Sequence, residues 1–319
     1  MKQHEINASI MPIFEDFRDQ IENWHDTGEA PLWRKPWNGG SIGMPMRGGA
    51  ALTGNYKKPT GLNGELEGFN GFNVFILWAA TQRNEYTSDV WWTWKQAKHA
   101  CRLANVEIKY PEQDHAQTVL RPIMGKGEKT DGTIYSFPIG WHSYTVFNSS
   151  VFPGFPNQFM HKLVDDDRAP LDRLPHADMF IRNIGANVEH GGDRACYVPS
   201  QDLILMPEFK AFHASSNYYA TLLHEHVHWT GDADRLDRLQ KFSDSQRDYA
   251  FEELVAEFGA AFLCSTLGIV NEDLRTDHTS YLNAWLKLLK MDLAHLWNAA
   301  SLASKAMNYL QGYQQGGTT

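Results

Sequence analysis

Apolar side chains recur at helical spacing across residues 6–24, where Ile10, Ile13, Phe14, Phe17, Ile21 and Trp24 form one stripe, so an amphipathic helix is expected to open the chain. Residues 72–80 are an apolar run that fits a helix or a buried strand, and residues 93–103 carry the helical period again. Residues 119–123, 133–137 and 144–147 read as strands. Farther on, residues 187–190 and 195–206 are strand-like and flank the turn Gly191-Gly192-Asp193, so they are expected to pair as a hairpin. Long helical patterns then cover residues 217–229, 249–267, 279–289 and 291–310. Strands and helices in this mixture predict an α+β protein.

A chain of 319 residues is long enough for two domains, each with its own core. Residues 151–175 hold four prolines and the acidic run Asp165-Asp166-Asp167, the composition of a domain boundary. The expected division is 1–154 and 155–319. With 42% hydrophobic and 21% charged residues the chain lies outside the range of disordered sequences. No run reaches the 18 or more uncharged apolar residues of a membrane span, and the acidic start does not resemble a signal peptide, so a cytoplasmic protein without a membrane partner is expected. The three cysteines are far apart and show no paired spacing, which makes them buried free thiols rather than a disulfide framework. The net charge of -9 argues against nonspecific attraction to nucleic acid, but it is unevenly spread. Residues 1–150 carry 15 basic and 16 acidic side chains, so the acidity belongs to the second half.

The chemistry is concentrated at His224-Glu225-His226-Val227-His228. Residues four apart on a helix share a face, so His224 and His228 can present imidazole nitrogens to one metal ion while Glu225 stands beside the open coordination position. A carboxylate there can take a proton from a zinc-polarised water and return it to a leaving amine, which makes Glu225 the candidate general base. His226 lies about 200° around the helix from His224 and reads as a packing or surface residue. Two candidates compete for the third ligand. Asp234 falls where the spacing HExxHxxGxxH has its last histidine. Glu253 and Glu257 sit four apart on the next expected helix, where one carboxylate can bind the metal and the other orient a ligand imidazole. Glu253 as ligand and Glu257 as its partner is the favoured assignment, and the reverse stays open. Zn2+ is the expected ion, with Mn2+ or Co2+ as substitutes. The strand starting at Tyr197 is a candidate for binding substrate backbone along a sheet edge.

In the first half, Trp33-Arg34-Lys35-Pro36-Trp37, the segment around Tyr56 and Lys57, and Trp92-Thr93-Trp94-Lys95-Gln96-Ala97-Lys98 interleave aromatic and basic or polar side chains. Binding of single-stranded nucleic acid needs such faces for stacking and such cations for phosphates, although some of these tryptophans are expected to be core.

With both halves read, the chain resembles the ArdC-type antirestriction proteins of plasmids and phages, including the related TraC-type primase-associated proteins. The matching residues include residues 190–195 with Tyr197 and Pro199, residues 219–225 with 228–231, Arg235 with Arg238, and residues 252–257. In the first half they include residues 33–37, Thr53-Gly54 with Tyr56, Gly71 with Asn73, Leu77-Trp78, Trp92-Thr93, residues 95–97 and residues 146–148. The resemblance implies an N-terminal single-stranded DNA-binding domain and a C-terminal zincin-like metallopeptidase domain. It also implies a protein or peptide substrate, a host restriction component being one candidate, and it favours the downstream glutamate over Asp234. Residues carried over as DNA contacts are Trp33, Arg34, Lys35, Trp37, Tyr56, Asn73, Trp78, Trp92, Lys95 and Gln96, with Lys57 and Trp94 added from the aromatic and basic pattern. The sequence departs from the family pattern at His226 and Asp232, and its segment 106–114 is more acidic, which predicts weaker DNA binding than the family norm.

Overall fold

The computed structural model describes residues 15, 19, 43–48, 67–128, 134–157, 172–212, 214–239, 246–269 and 294–314. Of the expected opening helix, only Glu15 and Asp19 fall within them; both are helical and exposed. Residues 279–289 lie outside.

The first half forms a five-stranded sheet in the order β2-β1-β3-β5-β4, from β1 (Met46–Arg47), β2 (Glu67–Gly68), β3 (Val90–Trp92), β4 (Gln117–Glu128) and β5 (Ile134–Asn148). Strands β1 and β3 run parallel and the other neighbours antiparallel. The two strands expected at 133–137 and 144–147 are one strand. Pro138 and Gly140 between them look like punctuation in sequence, but the register shifts at Ile123/Met124 opposite them and the ladder continues through. The ambiguous run at 72–80 is helix α1 (Asn73–Arg83). Helix α2 (Trp94–Leu103) begins at a capping box in which Thr93 Oγ1 accepts from Gln96 N–H and the Gln96 side chain accepts from Thr93 N–H.

In the second half, α3 (Pro175–Ile184) was not expected; Pro175 at its first position and Gly185 in the left-handed conformation after it are the boundary signals that reveal it. A three-stranded sheet follows in the order β6-β8-β7, made of β6 (Asn187–His190), β7 (Cys196–Val198) and β8 (Leu203–Met206). The pairing expected from the Gly191-Gly192-Asp193 turn is corrected here. Strands β6 and β7 do not pair; β6 runs parallel to β8, and the hairpin is β7–β8, because the stretch read as one strand is broken at residues 199–202. Asp202 takes the left-handed conformation at that break, with φ of 46°. Among the described residues three helices follow: α4 (Ser215–Trp229), α5 (Gln246–Thr266) and α6 (Ala294–Gly312).

One buried apolar cluster runs through both halves. Phe75 and Trp78 of α1 meet α5, with ring centroids of Phe75 and Phe258 4.4 Å apart and those of Trp78 and Phe262 5.8 Å apart. Trp141 of β5 meets Trp297 of α6 at 4.0 Å. A second cluster lies between α2 and the first sheet and ends at Phe152 and Phe155. Helix α5 therefore rests on the aromatic face of α1 and presents its other side to α4. The approach of those two helices is close: a Cβ added to Gly259 would lie 2.6 Å from Val227 Cγ2. Valine is stiff at χ1 and cannot swing away. Gly259→Ala should lower the unfolding free energy of the metal-free protein by about 1 to 3 kcal/mol, measured by urea denaturation.

Candidate metal centre

Helix α4 is buried on nearly every side, which is why the motif side chains lie out of water. Tyr219 ties its first turns to α3, the hydroxyl accepting from Leu174 N–H and donating to Asp178. At the far end the chain folds back, with Leu236 N–H bonded to Thr230 O and Arg238 N–H to Gly231 O. That return carries Arg238 inward and leaves Asp234 exposed at the bend. Asp234 uses its backbone N–H on Asp232 Oδ1.

His224, His228 and Glu253 bring one donor atom each to within 4.8 Å of one another. The two Nε2 atoms are 3.1 Å apart, His224 Nε2 is 3.4 Å from a Glu253 oxygen, and His228 Nε2 is 3.5 Å from the other. Ligands bound tetrahedrally at about 2.0 to 2.1 Å stand about 3.4 Å from each other, so the three donors fit a zinc-sized ion. Asp234 is not in the group.

Each imidazole is also held from behind. Glu257 Oε1 lies 3.1 Å from His224 Nδ1, close enough for an ion pair although not aligned as a hydrogen bond. Glu252 Oε1 lies 3.2 Å from His228 Nδ1. Glu252 in turn receives both Nε and Nη2 of buried Arg238, at 2.7 and 2.8 Å, and Arg238 Nη2 also donates to Val227 O. Sequence reasoning missed Glu252 and Arg238 as parts of the site. Glu252 lies about 100° around the helix from Glu253, where His228 offers its Nδ1 and the returning loop supplies the guanidinium. The adjacent glutamates and the nearby arginine were the available signal.

Burial pulls the His228 imidazole down, but Glu252 and Glu253 more than offset it and push it up to about 10. His224 is likewise pulled down by burial and raised overall by Glu253 and Glu257. Burial raises Glu253, yet the two histidines hold it well below the usual carboxylate range. His226 faces away: it is fully buried, bonds Leu222 O through Nδ1 at 2.7 Å, and burial drops it to about 4. Glu225 is 5% exposed and its Oε2 accepts the backbone N–H of Tyr197 at 2.8 Å, so edge strand β7 runs beside the motif helix.

The residues read as DNA contacts divide sharply. Trp33, Arg34, Lys35, Trp37, Tyr56 and Lys57 lie outside the described residues. Three others are corrected. Trp78 and Trp92 are in the core, their Nε1 groups bonded to Gly43 O and Ser149 Oγ, so their faces are closed to bases. Asn73 is buried and uses its amide on both backbone groups of Leu120, at 2.8 Å each. Gln96 is occupied in the cap of α2 and half-buried, Trp94 is half-buried against Tyr110 and Phe152, and Lys95 is exposed.

A helix bearing two histidines one turn apart, a glutamate beside them and a carboxylate helix behind defines a zincin-like metallopeptidase domain, and residues 175–302 match the family model of that description. Residues 11–135 match the N-terminal domain of anti-restriction factor ArdC. The metal-free crystal structure of the antirestriction ArdC protein of plasmid R388 is 33% identical, covering 94% of this chain and 97% of that one, with a TM-score of 0.70. The Mn(II)-bound structure of the R388 protein gives 32% identity, coverage of 95% and 98%, and a TM-score of 0.67. An uncharacterised protein of Sinorhizobium fredii, y4eC, is 29% identical over 95% of this chain and 92% of its own length. DNA primase TraC of Escherichia coli is 30% identical over 95% of this chain, which spans only 20% of the primase. The chain belongs to the ArdC antirestriction family.

Glu252→Gln keeps an acceptor for His228 but gives up the charge that holds Arg238. It should weaken metal binding about 10- to 100-fold, measured by competition with a chromophoric chelator.

Proposed function

We propose that this protein binds single-stranded DNA through its first domain and hydrolyses a peptide bond through its second, as a zinc peptidase serving to protect incoming mobile DNA in the cytoplasm from host restriction. The observation that carries the peptidase reading is Glu225: a carboxylate adjoins the His224–His228–Glu253 group, and a purely structural site has no use for it. Zinc, when bound, supplies Lewis acidity and lowers the pKa of a water towards neutrality; Mn2+ or Co2+ suits the same donors. His224, His228 and Glu253 would hold the ion, with Glu257 and Glu252 fixing the imidazoles. The Glu225 carboxylate, held at Oε2 by Tyr197, takes up the proton at Oε1 and hands it to the leaving amine nitrogen. A peptide can lie along β7, the edge of the small sheet that runs beside Glu225. Glu225→Gln should retain one metal per chain and lose about 10²- to 10⁴-fold in peptide cleavage, scored by mass spectrometry on host restriction components incubated with each protein. A variant that cleaves as well as the parent removes the peptidase assignment.

The DNA-binding reading rests on one face of α2. At about 100° per residue, Lys98, Arg102, Lys95 and His99 share an arc of the helix, while Ala97, Ala100 and Cys101 are buried on the opposite side. The helix carries no acidic side chain. Trp94 borders the arc, and Tyr110, 59% exposed, packs edge-on against its ring at 5.1 Å. Cations beside aromatic faces are what sequence-tolerant binding of a single strand requires. Removing the three charges in Lys95→Ala/Lys98→Ala/Arg102→Ala should weaken binding of labelled oligothymidine and reduce the salt slope by about 2, from about 0.7 per phosphate contact. Unchanged affinity and slope would move the DNA path off this helix.

A further inference from the structure

The edge strand β7 is only three residues long, yet it is the strand that holds the Glu225 carboxylate. The β7–β8 ladder sets the register of the strand but not its distance from the motif helix, so contacts outside the ladder must decide where the Tyr197 N–H falls. Arg235, six residues beyond the end of α4, reaches three separate pieces of the chain with one guanidinium. Its Nε donates to Trp229 O at 2.5 Å, in the last turn of the motif helix. Its Nη2 donates to the Tyr197 hydroxyl at 2.8 Å and to Asp202 Oδ1 at 2.6 Å, and Nη1 donates to Asp202 Oδ2 at 3.2 Å. The Tyr197 hydroxyl donates onward to Asp202 Oδ1 at 2.8 Å, with Asp232 Oδ2 at 3.3 Å. The guanidinium lies 4.0 Å over the Trp229 ring and its side chain is only 10% exposed. Tyr197 is thus gripped at both ends, the phenol by Arg235 and Asp202 and the amide by Glu225.

We propose that Arg235 is a positioning residue for the candidate base: by binding the Tyr197 hydroxyl, the Asp202 carboxylate and the Trp229 carbonyl together, it fixes β7 where the Tyr197 N–H holds the Glu225 carboxylate. Asp202 sits at the left-handed break between β7 and β8, so Arg235 anchors the hairpin at its turn as well as at its middle residue. The requirement is for a planar fork, which lysine cannot supply. Arg235 contacts none of His224, His228 or Glu253, so metal binding and this positioning are separable. The inference rests on the reading of Glu225 as base, but its geometry stands apart from whether any peptide is cleaved.

The test is residue-resolved amide hydrogen exchange by NMR on the ¹⁵N-labelled full chain. In antiparallel pairing, alternate amides point into the ladder. Tyr197 N–H points at Glu225 instead, and those of Cys196 and Val198 point to β8. In the parent, Tyr197 N–H is protected, and Glu225→Ala removes that protection. In Arg235→Met, Tyr197 should exchange about tenfold faster, as expected for loss of a hydrogen bond to a charged acceptor, while Cys196 and Val198 keep their rates and metal stoichiometry is unchanged. Arg235→Lys should fail to restore the parent rate, and Tyr197→Phe should reproduce part of the effect. Parental protection at Tyr197 in Arg235→Met would overturn the inference. Equal acceleration of all three amides would also overturn it, by showing that Arg235 merely keeps the strand folded. Loss of cleavage by Glu225→Gln bears only on the base assignment, so the two ideas fail separately.

Discussion

Between α4 and α5, two imidazoles face three carboxylates with almost no access to water, and every other feature of the site follows from how those charges are balanced. Buried charges are tolerated only when paired and hydrogen-bonded. Glu252 is matched by Arg238, Glu253 lies against both imidazoles and Glu257 against that of His224. A divalent ion held by His224, His228 and Glu253 would add positive charge beside these carboxylates. Without the ion the same carboxylates draw protons onto the histidines, the direction seen at His224 and His228. Metal binding at such a site expels those protons, so affinity rises as the pH rises.

The helices that carry these groups are held by the rest of the fold. Phe75 and Trp78 of α1 form the surface on which Phe258 and Phe262 of α5 rest, and Gly259 between them lets α5 close on Val227 of the motif helix. The first domain's aromatic residues therefore serve the second domain's site. This explains why Trp78 is spent on packing although it lies in the segment that matches the N-terminal domain of anti-restriction factor ArdC. Helix α2 has its apolar side covered by the smaller cluster and its basic side exposed, which is why the proposed DNA contact falls there.

Much of this was legible in the sequence because the signals were local. The spacing of His224 and His228 and the pair Glu253 and Glu257 reflect helical geometry alone, and the helical period over residues 93–103 marked α2. What failed depended on contacts between distant segments. The β6–β8 pairing overrode the turn at Gly191-Gly192-Asp193, because a strand inserted from beyond residue 202 outcompeted the nearest neighbour. Composition could not distinguish a stacking tryptophan from a core one: Trp92 and Trp94 are two residues apart, yet Trp92 is closed off and Trp94 borders the surface. Glu252 and Arg238 were invisible as partners until the loop after α4 was seen to fold back.

Everything proposed for the second domain depends on His224, His228 and Glu253 together holding one divalent ion. Elemental analysis of the purified chain beside a Glu253→Ala variant, with near-ultraviolet circular dichroism to establish that both are folded, tests it most directly. One metal per chain in the parent and none in the folded variant is the predicted result. A metal-free parent after exposure to zinc, or a folded variant that keeps its full complement, would contradict it.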